Sequence, residues 1–97
     1  MTRDEILAAD VEKRLTKLKG KTKEELTKGA DSVLALLTPD GLPHGSIGLE
    51  DVRSDVVKAV MQLQLDCDQG FGSSRIQSSL QNAILAATRW RDESRKN

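Results

Sequence analysis

The stretch VVKAVMQLQLDCDQGFGSSRIQSSLQNAILAATRW, residues 56–90, decides the fold, because it holds two helical patterns separated by a glycine-rich turn. The first pattern comprises Val56, Val60, Leu63 and Cys67, and the second comprises Ile76, Leu80, Ala83, Ile84, Ala87 and Trp90. Both recur every three or four residues, as on one face of an α-helix. Gly70 or Gly72 can end the first helix, and Ser73 or Ser74 can cap the second. The stretch predicts a helical hairpin. Its first arm, the third helix of the chain, runs from about Leu49 to Cys67.

The first 38 residues predict another hairpin of the same kind. Capping boxes begin at Thr2 and Thr22, each with a glutamate three residues later, and Gly20 separates the two helices. The apolar stripes are Leu7, Val11, Leu15 and Leu18, then Leu26, Ala30, Val33, Leu34 and Leu37. Gly29 inside the second helix indicates either a weak helix or a closely packed neighbour.

The segment TPDGLPHGSIG, residues 38–48, is the one long irregular connection, with both prolines and three of the seven glycines. We therefore predict an all-α fold of four helices in two hairpins. Residues 1–97 form a single domain, in which 2–38 is the first hairpin, 39–48 a Pro/Gly linker and 49–95 the second hairpin.

The composition indicates which residues form the core and which cellular compartment suits the protein. One Phe, one Trp and no Tyr leave an aliphatic core, and a small core of this kind favours completion by a second copy in a homo-oligomer. The single cysteine, Cys67, suits a reducing compartment. With neither a signal-peptide pattern nor a membrane-length apolar run, a cytoplasmic protein is expected.

Charge and chemistry narrow the function classes. Fifteen basic and fifteen acidic residues cancel, which argues against a general nucleic-acid coat protein but leaves room for a local basic patch. His44 stands alone in the Pro/Gly segment, so the sequence offers neither a metal-ligand set nor a catalytic triad. We expect a non-enzymatic protein without a cofactor or a metal.

The junction GFGSSRIQSSL, residues 70–80, is the first candidate binding site. Free N–H groups at a helix start bind anions, and Ser73, Ser74, Arg75 and Ser78 would add hydroxyls and a positive charge, forming a seat for phosphate. The alternative, which we favour on the residues alone, is ordinary capping with Phe71 anchoring the turn. The absence of GxxxxGK[ST] excludes a nucleoside-triphosphatase loop by pattern.

Two further segments have a functional and a structural interpretation. KLKGKTK, residues 17–23, places Lys17, Lys19, Lys21 and Lys23 around a turn, where they could receive phosphates or an acidic partner. A solvated turn is the favoured interpretation. Trp90, between two arginines, could stack a base or anchor an interface, but its helical phase favours packing, against this chain or another subunit.

Helix four carries a resemblance to a known family. Arg75-x-x-Ser78, followed by an Ala-rich helix with Ala87 and Trp90, resembles the phage helical-hairpin sponges that sequester cyclic oligonucleotide signals of the CBASS immune system. Val52-Arg53 resembles the start of their first long helix, so the similarity covers about residues 50–92. It implies oligomers that bind cyclic nucleotides between subunits, with Arg75 and Ser78, and less securely Arg53, on ligand phosphate. The chain departs from that family in having no tyrosine and in its additional N-terminal hairpin.

Two hypotheses follow. The first is a phage anti-defence binding protein that sequesters a phosphate-bearing signalling nucleotide at a subunit interface. The alternative is a small helical adaptor or inhibitor that docks on a host protein through an exposed apolar or Trp90 surface. A DNA-binding helix-turn-helix protein ranks third, because the early positions of helix four are mostly Ser, Gln and Asn.

Overall fold

The computed structural model describes residues 3–37, 49–70 and 72–96. Its helices are α1 (Arg3–Thr16), α2 (Lys23–Leu36), α3 (Glu50–Asp68) and α4 (Ser73–Lys96). The described residues contain no strand, so the prediction of an all-α fold with four helices is confirmed.

The helices form an up-down-up-down bundle, in which α4 packs against α1 and α3, and α2 packs against α3 and α1. The side-chain contacts that set these directions are Glu5–Arg95 and Glu12–Arg91 between α1 and α4, Asp55–Arg89 and Asp66–Ser79 between α3 and α4, and Asp31–Gln64 between α2 and α3. Neighbouring helices are thus antiparallel. The α1–α2 turn and the α3–α4 turn consequently lie at the same end of the bundle, which we call the turn end.

The core is aliphatic apart from one indole. Its buried members are Ala8, Val11, Leu15, Leu26, Ala30, Val33, Leu37, Leu49, Val52, Val56, Val60, Leu63, Cys67, Ile76, Leu80, Ala83, Ile84, Ala87 and Trp90. The predicted stripes are confirmed except at their edges, where Leu7, Leu18 and Leu34 are half-buried. The stripe of α1 is centred on Ala8 instead of Leu7, which also turns Asp4 inward.

Local sequence signals account for the turn end. The Thr22 hydroxyl accepts a hydrogen bond from the Glu25 N–H at 3.3 Å, which confirms the predicted cap of α2. Gly20 and Gly70 have φ values of 76° and 74°, the left-handed region that favours glycine. Gly70 therefore follows Gln69, the C-cap of α3, as the predicted C′ glycine, and α4 begins at Ser73.

Gly29 allows a close helix contact. A β-carbon there would lie 2.6 Å from both terminal methyl carbons of Leu18, so the second interpretation, a closely packed neighbour, is confirmed. This contact brings the turn that follows α1 against α2.

Three expectations fall outside the described residues: the Thr2 capping box, the linker at 39–48 with His44, and the anchoring role of Phe71. The second helix ends at Leu36, with Leu37 as its C-cap, slightly before the end of the predicted first hairpin at 38. None of the four helices, over its described length, combines the length and apolar character needed to cross a bilayer.

Candidate functional site at the turn end

Two of the segments singled out in the sequence meet at the turn end. A cleft of about 190 Å³ separates them, lined by Lys21, Lys23, Leu26, Ser73, Ile76 and Gln77. The two lysines come from the α1–α2 turn and the serine from the first residue of α4, about fifty positions later. The bundle topology therefore joins the KLKGKTK and GFGSSRIQSSL segments in one place.

The backbone of both turns positions these side chains. In the first turn, the Lys21 N–H donates to the Leu18 carbonyl at 3.1 Å, and the Thr22 cap then starts α2. In the second turn, the left-handed Gly70 reverses the chain, and the Ile76 N–H bonds the Gly72 carbonyl at 3.1 Å. The Lys23 ammonium lies beside that reversal, 3.8 Å from where a β-carbon of Gly70 would be.

The cleft has a basic rim over an apolar floor. Leu26 and Ile76 are buried beneath it, whereas Lys21, Lys23 and Ser73 are exposed. The first turn of α4 contains no acidic residue, so the positive end of its dipole is not neutralised there. Lysine ammonium groups and a serine hydroxyl can all donate to phosphate oxygens, so the arrangement suits an anion.

Arg75 does not line the cleft, and its side chain contacts Asp66 on α3 instead. Its Nε lies 3.6 Å from an oxygen of Asp66, which is only 1% exposed, while the Arg75 side chain itself is 57% exposed. The Ser79 hydroxyl donates to the other Asp66 oxygen, and Gln62 Nε2 donates to the first at 2.9 Å. The structure thus pairs Arg75 within the chain, and its contact with a ligand phosphate stays a prediction.

These partners hold the pKa of Asp66 below its usual value. The hydrogen bond from Ser79 has the largest effect, burial of the carboxylate acts in the opposite direction, and Gln62 and Arg75 add to the lowering. Asp66 is therefore a charged anchor between α3 and α4. Sequence analysis missed it, although Asp66 and Arg75 lie at nearly equal distances from the turn and so meet in an antiparallel hairpin.

Arg53 lies near the start of α3, whereas Arg75, on α4, contacts Asp66 near the end of α3. Its Nη1 donates to Asp4 Oδ1 at 2.8 Å, and Trp90 Nε1 donates to the same oxygen at 3.1 Å. Asp4 and Trp90 are fully buried, and Arg53 is nearly so. The structure therefore does not bring Arg53 and Arg75 together within one chain, and Arg53 serves a buried ion pair among α1, α3 and α4.

Trp90 takes the packing role that its helical phase predicts, against its own chain. With 0% exposure it offers no surface for stacking a base or docking a partner. Its partner Asp4 was missed in the sequence, where an acid in a first helical turn looks like a dipole effect. The spacing Asp4–Ala8–Val11–Leu15 is the signal that places Asp4 on the buried face.

The remaining predicted site residues are the three serines of the junction, and only one of them lies at the cleft. Ser74 and Ser78 are exposed on α4, and of the four junction residues only Ser73 lines the cleft. Within the described ranges, no group of three His, Cys, Asp or Glu side chains could hold a metal ion.

Comparison with known proteins adds no relative. The chain matches no protein-family model, no curated protein and no solved structure. The resemblance of residues 50–92 to the cyclic-oligonucleotide sponges therefore stays a prediction, resting on Arg75, Ser78, Ala87 and Trp90.

Proposed function

We propose that this chain is a non-enzymatic binding protein that holds a phosphate-bearing ligand at the turn end. One observation carries the proposal: Lys21, Lys23 and Ser73 converge on a single cleft from two distant segments. Neither lysine pairs with a carboxylate in the described part of the chain, so their charge is available to a ligand. Arg75 does not line the cleft and is paired with the charged Asp66, so Lys21 and Lys23 supply the positive charge of the site.

The size of the cleft bears on how the ligand is held. About 190 Å³ is below the roughly 300–1,000 Å³ of ligand pockets that enclose a whole small molecule. One copy would seat a phosphate group and leave the rest of a nucleotide outside, where a second copy could cover it. This supports the intersubunit site that the resemblance implies, and a cyclic oligonucleotide sequestered stoichiometrically is the ligand class we propose first.

Titration calorimetry with a panel of cyclic di- and trinucleotides tests the proposal. Lys21→Gln/Lys23→Gln should weaken binding at least about tenfold, because charge-assisted hydrogen bonds contribute about 1.5–3 kcal/mol each. The matched control is Arg3→Gln/Lys58→Gln, which removes the same charge from exposed positions outside the cleft. If no panel member binds, or if both double variants bind like the unmodified chain, the proposal is wrong.

Arg75→Gln forms a separate arm of the same titration. Loss of binding with an unchanged melting temperature would support the ligand contact that the resemblance implies. Full binding would restrict Arg75 to its ion pair with Asp66 and leave the lysine cleft as the site. Light scattering at two protein concentrations tests the homo-oligomer, since a strict monomer removes the intersubunit part of the site.

One observation favours the adaptor function as a second candidate. Met61 and Leu65, one turn apart on α3, are 50% and 49% exposed and follow the half-buried Val57. Exposed apolar pairs of this kind are used in helix docking. A host protein that binds the unmodified chain but not Met61→Gln/Leu65→Gln, with the cleft intact, would favour this function.

A further inference from the structure

Positive charge is concentrated in a short part of the chain. Residues 13–28 hold seven Lys and Arg side chains and two Glu, a formal excess of about five charges. Because the whole chain is neutral, the remaining residues carry an equal acidic excess. The protein is therefore strongly polarised, although its net charge is zero.

Lysines and arginines are used differently in this fold. The arginines that pair with carboxylates are Arg14, Arg53, Arg75, Arg89, Arg91 and Arg95. Lysines make no ion pair among the side chains that the structure describes. Five of them, Lys13, Lys17, Lys19, Lys21 and Lys23, are exposed on the end of α1, the turn and the start of α2. We call these five the lysine surface.

The lysine surface is larger than the cleft needs. Lys13 and Lys17 lie one turn apart on α1, outside the cleft, and Lys19 lies in the turn between them and Lys21. Several exposed ammonium groups without a carboxylate partner among the described side chains suit a partner that carries several phosphates. Lysine meets each phosphate as a point charge, and a phosphate contact carries no sequence information.

The surroundings of the lysine surface narrow the partner further. The exposed large apolar side chains that the structure describes, Ile6, Met61, Leu65 and Leu85, all lie outside residues 13–28. Residues 13–28 therefore present neither an aromatic platform for single-stranded bases nor an apolar face that could enter a lipid surface. Of the groups that a nucleic acid offers, this surface is therefore suited to the phosphates.

We propose that the lysine surface binds the sugar–phosphate backbone of double-stranded nucleic acid without reading its sequence. The acidic remainder of the chain is repelled by the same phosphates, so the protein meets the duplex with its turn end. The inference goes beyond the proposed function, since three of the five lysines lie outside the cleft, and it shares Lys21 and Lys23 with it.

The salt dependence of binding gives the first test. Fluorescence anisotropy of a labelled 20-base-pair duplex of arbitrary sequence should show binding at about 50 mM salt, with affinity falling as salt rises. Each phosphate contact contributes about 0.9 to the logarithmic slope, so five lysines predict a slope of about −4.5. A second duplex of unrelated sequence should bind within about twofold.

Charge-matched variants locate the contact. Lys13→Gln/Lys17→Gln should weaken duplex binding at least about tenfold at low salt and reduce the slope by about two. Arg3→Gln/Lys58→Gln, with the same charge change, should stay within about twofold of the unmodified chain. All four positions are exposed, and circular dichroism confirms that each variant is folded. Equal effects of the two double variants, or no duplex binding by the unmodified chain, would overturn the proposal.

Competing partners separate this inference from the proposed function. Tighter binding to a polyglutamate peptide or to phosphatidylserine vesicles than to the duplex would overturn the nucleic-acid assignment. Cyclic-nucleotide binding that survives Lys13→Gln/Lys17→Gln, together with absent duplex binding, would remove this inference and leave the cleft. Duplex binding without any cyclic-nucleotide binding would support this inference and remove the proposed function.

Discussion

Trp90 and Asp4, 86 residues apart in sequence, share a hydrogen bond of 3.1 Å inside the bundle, and Arg53 donates to the same carboxylate oxygen at 2.8 Å. One carboxylate thereby connects three helices at the end of the molecule farthest from the turns. We expect Asp4→Ala to lower the free energy of unfolding by about 3–5 kcal/mol, because Arg53 would be left buried without its counter-charge. Chemical denaturation monitored by circular dichroism measures the change.

Asp10→Ala is the control for that variant. Asp10 also pairs with an arginine, but its ion pair with Arg14 is exposed, so the expected loss is below about 1 kcal/mol. Similar losses for the two variants would show that burial does not increase the contribution of Asp4 to the free energy of unfolding.

The lowered pKa of Asp66 predicts how the free energy of unfolding changes in acid. Its pKa in the folded chain lies below the ordinary value of 3.8, so the folded state binds the proton less readily than the unfolded state. The contribution to the free energy of unfolding is therefore present above about pH 4 and is lost as the pH falls through the lowered pKa. Denaturation curves between neutral and acid pH should show this loss, and Ser79→Ala should reduce it, since the Ser79 hydroxyl has the largest effect. An unchanged acid profile in Ser79→Ala would contradict this account.

Gly29 and Leu18 form a pair whose effects depend on each other. Gly29→Ala should lower the free energy of unfolding by about 1 kcal/mol, because the new methyl group would overlap Leu18. In a Leu18→Ala background the same substitution should instead stabilise by up to about 1 kcal/mol, since alanine favours the helix over glycine. A double-mutant cycle in thermal or chemical denaturation measures the sign change, and purely additive effects would exclude the contact.

Gly20 isolates the effect of backbone conformation. A β-carbon there would meet no atom within 4 Å, yet φ is 76°. We expect Gly20→Ala to cost about 1–2 kcal/mol and Gly20→Asn to cost less, because asparagine tolerates the left-handed region. The melting temperatures of the two variants check this order, and equal values would mean that the turn relaxes to another conformation.

The sequence predicts the local part of this structure well. The stripes of α3 and α4, the Thr22 cap and the approach of a neighbour to Gly29 all depend on residues close together along the chain. Long-range polar contacts could not be predicted in the same way. The partners of Asp4 are 49 and 86 positions away, and helical periodicity says nothing about which polar groups meet across the core.

The candidate site shows the same division. The sequence identified the lysine turn and the Ser73 junction separately, and favoured a solvated turn and ordinary caps for them. Their meeting in one cleft depends on the up-down-up-down order of the helices, which puts both turns at one end. The antiparallel register of α3 and α4 places Arg75 beside Asp66, and its expected contact with a ligand stays a prediction.

The separate use of arginine inside the fold and lysine on its surface has a practical consequence. An amine-selective reagent such as acetic anhydride or a biotin ester would react with groups on which no described ion pair depends. The labelled molecule should keep its melting behaviour while its electrophoretic mobility shifts. Five of the eight lysines belong to the lysine surface, so most of the label would lie on that side of the bundle.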